Sequence, residues 1–139
     1  MTEIVEPTIS DFEANPTSVR HAFLACVVTF HSLDYLTHPE RPASHRQWFR
    51  QASPEFAMID RIAHAFKHVQ TGHDKSALVQ PLKAEDVIER PPAIWGKAVW
   101  ELSRWGDSIG GVTIKNDHER DLLEIVKRAA EFVRASVKP

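Results

Sequence analysis

Two stretches of this chain carry residue types at spacings that could do chemistry. One is Asp60-Arg61-Ile62-Ala63-His64-Ala65-Phe66-Lys67-His68 and the other is His31-Ser32-Leu33-Asp34-Tyr35-Leu36-Thr37-His38. On a helix, Arg61 and His68 are two turns apart and nearly above one another, about 10 Å along the axis. A long guanidinium and an imidazole at that spacing can touch two ends of one phosphodiester. Imidazole donates or accepts a proton near neutral pH, and guanidinium stabilises charge developing on phosphate oxygens. Those two groups suffice for metal-independent RNA cleavage in which the ribose 2′-hydroxyl is the nucleophile. Laid out as a helix, Ile59, Ile62, Phe66 and Val69 form a core stripe. Arg61, His64 and His68 fall on the opposite side, with Asp60 flanking them, so this face is expected to meet water, a cleft or another chain.

Arginine, six residues, then histidine on a helix of a small bundle resembles the HEPN family. The resemblance covers the bundle architecture loosely and Arg61 and His68 sharply. Ile62 departs from the family pattern, in which a polar residue usually follows the arginine. The resemblance implies an RNA-binding or ribonuclease-type protein of a toxin or defence system. It also implies a homodimer whose paired bundles bring both motifs into one cleft. Arg61 would be the phosphate-contacting cation and His68 the acid/base, with His64 and Asp60 supporting. No cofactor is implied.

The first stretch offers an alternative. His31, Asp34 and His38 share one stripe, and Asp60, His64 and His68 repeat the idea. If the two faces met, imidazole and carboxylate ligands could hold a transition metal ion within a helical bundle. Geometry argues against such a meeting, because the apolar stripe of the helix carrying Asp60–His68 is expected to turn inward and its histidines outward. His31 and Asp34 can also simply bond each other. A third reading is a non-catalytic interaction module whose histidine face contacts a partner protein.

Other signals are weaker. His73-Asp74 superficially suggests a phosphohydrolase pair, but it follows a helix-ending glycine and reads as a polar turn. No phosphate loop, dinucleotide fingerprint or paired-cysteine zinc motif is present. Trp95, Trp100 and Trp105 recur every five residues with Lys97 and Arg104 between them. They could stack on bases, but large aromatics usually pack, so a secondary core folded back on the bundle is expected.

The elements that must position these residues are mostly helical. Residues 1–15 read as a flexible N-terminal arm and 16–139 as one helical-bundle domain. Thr17 or Ser18 caps a helix running to about Thr37, apolar nearly all round and therefore central. A short helix over Ala43–Gln51 follows. Ser53-Pro54-Glu55 then starts the helix that carries the second stretch, reaching Thr71 and ending at Gly72. Residues 73–115 form an irregular insertion. In it, Ala93–Trp105 is expected to be helical, and Gly110–Ile114 to be a strand pairing with Leu78–Leu82 or Asp86–Ile88. Asn116 or Asp117, with Glu119, caps a last helix whose buried stripe is Leu122, Ile125, Val126, Ala129, Phe132 and Val133. The fold class expected is all-α, a bundle of four or five helices with a short β-hairpin before the last one.

Composition narrows the function. Seventeen Lys and Arg against 19 Asp and Glu leave a formal charge of −2, so no global electrostatic footprint points to a polyanion. The single cysteine, Cys26, lies in an apolar run and reads as a buried hydrophobe. No apolar run is long enough to span a bilayer. The start lacks the marks of a signal peptide, so a cytoplasmic protein is expected, with no membrane partner.

Overall fold

A computed structural model describes residues 3–68 and 81–136. The order is α1 (Val5–Ala14), α2 (Val19–Thr37), α3 (Pro42–Ala52), α4 (Pro54–His68), β1 (Val87–Arg90), β2 (Gly111–Ile114) and α5 (Leu122–Ser136). The described residues are thus largely α-helical with one small antiparallel sheet. No helix among the described residues is long and apolar enough to cross a membrane.

α2 is the centre, as its all-round apolar sequence requires. It packs against α1, α3, α4 and α5, and Ala22, Ala25, Cys26 and Leu33 are wholly buried. Its first turn is fixed by Ser18, whose Oγ accepts from His21 N–H at 3.3 Å. α4 begins the same way, with Ser53 Oγ accepting from Phe56 N–H at 3.0 Å. Phe56, Ile59 and Ile62 of α4 fill the layer between α2 and α5, and Leu122, Val126, Ala129 and Val133 close it from the α5 side. Small residues at Ala63 and Ala65 let the α4 backbone approach its neighbours closely.

Several expectations are corrected. Residues 5–14 are a helix rather than a flexible arm: Val5, Ile9 and Phe12 make one stripe, Phe12 is wholly buried, and Arg134 of α5 donates to Glu6 at 2.6 Å. Phe66 is not a core residue. It leans on Phe23 at a ring separation of 4.9 Å but is largely exposed. Ala93–Trp105 is not a helix, because Gly96 (φ 77°) and Glu101 (φ 64°) break any helical run. Nor do its tryptophans form a secondary core: Trp95, Trp100 and Trp105 are 103, 89 and 96% exposed.

The strand is at Gly111–Ile114, and its partner is β1, in the register Val87↔Ile114 and Arg90↔Gly111. The last helix is capped by Asp121, whose Oδ1 accepts from Leu123 N–H at 3.0 Å. Asn116 (φ 71°) is spent on the turn that leaves β2. Val69, Thr71, Gly72, the His73-Asp74 pair and Leu78 lie outside the described residues.

The base of the 91–110 loop is latched. Arg90 is buried, and its Nη2 donates to Asp107 Oδ2 at 2.8 Å and Asp121 Oδ2 at 2.9 Å. Asp107 also accepts from the Ile109 and Gly110 N–H groups at 3.1 and 2.8 Å. Burial alone would raise the Asp107 pKa. The two backbone donors and Arg90 outweigh it and hold the carboxyl below its usual range.

Candidate functional site

The site is built on three helices that meet around Phe30. His31 follows Phe30 on α2, Arg46 comes from α3, and His64 and Lys67 come from α4. Together these line a cleft of about 360 Å³, walled by Val27, Ala63 and Phe66. The Arg46 guanidinium lies over the Phe30 ring, 4.7 Å from its centroid. The His31 and His64 rings both meet the Phe30 ring edge-on, with centroids at 5.0 and 5.3 Å. The two histidine-bearing faces therefore do meet. The expectation that the α4 histidines turn away fails because the buried arc of α4 is wider than its aliphatic stripe. It extends through Ala63 to Asp60, with His64 at its rim.

Each imidazole is backed by an aspartate on its own helix. His31 Nδ1 is 3.1 Å from Asp34 Oδ2, the i, i+3 bond expected from sequence. His64 Nδ1 is 2.8 Å from the Asp60 carbonyl oxygen and 2.9 Å from Asp60 Oδ1. The carbonyl takes the hydrogen bond, and the Oδ1 contact is electrostatic, since that oxygen makes no hydrogen bond. With Nδ1 engaged in both rings, Nε2 is the atom left for a ligand.

Asp60 does not flank an exposed face; it is 4% exposed. A carboxylate can be buried there because Arg50 Nη1 of α3 reaches its Oδ2 at 2.8 Å. Asp34 is held from the same helix: Arg46 Nη2 lies 2.6 Å from both of its oxygens. Burial pushes the Asp34 pKa up. The hydrogen bonds and charges of Arg46 and His31 outweigh it and hold the carboxyl below the usual range.

His68 is exposed and stacks on His64, with ring centroids at 6.4 Å. Arg61 lies on α4 but not among the residues lining the cleft. The cations there are Arg46 and Lys67. The metal alternative fares differently. Asp34 is committed to Arg46 and His31, and His38 is exposed at the end of α2. Among the described residues, no three His, Cys, Asp or Glu side chains converge as a ligand set.

No protein-family model, no curated protein and no solved structure matches the chain.

Sequence reasoning missed Phe30, Arg46, Arg50 and Lys67. A signal for the two arginines was present. They are four residues apart, so they share a face of a short helix. That helix lies in sequence between two segments each carrying an Asp and a His.

The arrangement can hold an anion. Asp34 engages only Nη2 of Arg46, so the guanidinium is not wholly spent on that carboxylate; its Nε is buried and out of a ligand's reach. Lys67 makes no ion pair among the described residues. The imidazoles of His31 and His64 line the same volume. Imidazoles beside an anion site can give and take protons near neutral pH.

Proposed function

We propose that the chain is an RNA-directed, metal-independent phosphodiesterase of the ribonuclease type, acting at the Phe30 cleft. The observation that carries this reading is the juxtaposition of His31 and His64 on one aromatic ring, beside Arg46 and Lys67. One imidazole takes the proton of the ribose 2′-hydroxyl, and the 2′-oxygen attacks the adjacent phosphorus. The bond from phosphorus to the 5′-oxygen breaks, and the second imidazole, protonated, gives its proton to that leaving oxygen. The products are a 2′,3′-cyclic phosphate and a 5′-hydroxyl. Arg46 and Lys67 stabilise the charge gathering on the non-bridging oxygens.

This keeps the RNA chemistry suggested by the HEPN-like spacing of Arg61 and His68 and moves its centre. His64 and His31 replace Arg61 and His68 as the principal pair, with Asp60 as a positioning residue. His68, stacked on His64, extends the polar face outward. Pairing of two copies through this face would enlarge the cleft, as the resemblance implies.

The test is incubation of the full chain with single-stranded RNA and analysis of the ends formed. Cyclic phosphate and 5′-hydroxyl ends support the reading. Intact RNA, or ends bearing a 5′-phosphate, contradict it.

A further inference from the structure

The 91–110 loop contains one turn used three times. Ile94 carbonyl accepts from Lys97 and Ala98 N–H at 3.1 and 3.0 Å, and Val99 carbonyl accepts from Leu102 and Ser103 N–H at 3.2 and 2.9 Å. Arg104 carbonyl accepts from Asp107 N–H at 3.0 Å. The second residue of each turn is a tryptophan: Trp95, Trp100, Trp105. The third has positive φ: Gly96 at 77°, Glu101 at 64°, Gly106 at 79°. A positive φ at the third position marks a type II-like turn, which favours glycine. Glutamate at Glu101 takes it against the preference of a residue with a Cβ. A strained residue kept in register with two glycines shows that the repeat is built in.

The three indoles make no ring contact with any described residue, so their faces are open to a ligand. Lys97 and Arg104 alternate with them along the chain, both exposed and making no ion pair among the described residues; Glu101 lines the same surface as the indoles, and Arg104 also lines a cleft beside Glu119 and Asp121. The Arg90–Asp107–Asp121 latch holds the loop's base rigid.

We infer that this turn repeat is a stacking platform for single-stranded nucleic acid, each indole taking one base face. A display that repeats one unit fits a ligand that repeats one unit. Stackable faces joined by an anionic backbone match indoles interleaved with unpaired cations. The inference rests on the RNA-directed reading of the Phe30 cleft and gives it a second contact, one that names single strands as the substrate.

The experiment titrates the full chain with a single-stranded oligonucleotide whose 2′-positions are methylated, so that it binds without being cut. Tryptophan emission and the anisotropy of a labelled strand are read together. Saturable quenching is expected, with binding at least about tenfold weaker in the Trp95→Ala/Trp100→Ala/Trp105→Ala variant and an intermediate loss in the triple Phe variant. The thermal midpoint should not move, because the rings pack against nothing. Equal binding by the triple Ala variant, or binding without quenching, overturns the inference. So does an indole response to lipid vesicles, to a neutral polysaccharide or to self-association while the oligonucleotide leaves emission unchanged. Quenching with no cleavage of unmodified RNA overturns only the cleft chemistry. Cleavage that depends on His64 but not on the tryptophans overturns only the platform.

Discussion

Arg46 Nη2 lies 2.6 Å from both carboxylate oxygens of Asp34, twelve residues back along the chain, while its guanidinium covers Phe30. One side chain thus ties α3 to α2, neutralises the carboxylate behind His31 and furnishes the cleft with a cation. Arg46→Ala removes all three effects and should destabilise the fold by about 1–2 kcal/mol. The effect has a pH signature. The folded chain holds the Asp34 carboxyl below its ordinary value, so it binds fewer protons there than the unfolded chain does. The pair therefore stabilises above the usual carboxylate range, near pH 4, and is lost as pH falls through the folded value. Asp107 contributes with the same sign. Urea melts of wild type and Arg46→Ala at descending pH should converge. Parallel curves would show that Asp34 is not so held.

Phe12 is wholly buried on α1. Phe12→Ala should cost about 3–5 kcal/mol, measured by denaturant unfolding. A loss under about 1 kcal/mol would mean that α1 is an appendage after all.

Two substitutions in the 91–110 loop should act in opposite directions. A Cβ at Gly110 would lie 2.5 Å from the Arg90 carbonyl oxygen, at a φ of 85°. Gly110→Ala should therefore destabilise by roughly 1–3 kcal/mol. Glu101→Gly relieves a positive φ and should stabilise by about 1 kcal/mol. Thermal midpoints of the two variants check both signs.

The legible parts of this fold were the local ones. Ser18 and Ser53 announce their helices because a cap acts within three residues. The α5 stripe is likewise a matter of spacing, and so are the His31–Asp34 and Asp60–His64 pairs. α1 was hidden because its stripe of Val5, Ile9 and Phe12 is sparse and it starts at Ile4 with no side-chain cap. Pro7 is tolerated there because it falls in the first turn, where its missing N–H has no intrahelical partner. The start of α5 was misplaced because Asn116, Asp117 and Asp121 are all good caps, and only the tertiary path of the turn chooses among them. Arg46 and Arg50 reach across to other helices, and no spacing rule links them to Asp34 and Asp60. The exposed tryptophans defied the general tendency of large aromatics to be buried, and the repeated positive φ that explains them is visible only in the backbone.

Cys26 is wholly buried, and burial pushes its thiol far above the usual range. It should resist thiol reagents in the folded chain and react only as fast as the molecule opens. A labelling rate that rises with denaturant in step with global unfolding checks this. Rapid labelling in buffer would show that the core around α2 opens locally.

The most direct measurement is single-turnover cleavage of single-stranded RNA by wild type, His31→Ala and His64→Ala at matched folded concentration. Both imidazoles are about half exposed, with side chains 49 and 44% accessible, so neither substitution should disturb folding. Each is expected to lower the rate by about 100-fold or more. Cleavage at the wild-type rate by either variant would contradict the assignment of the Phe30 cleft as the reacting centre.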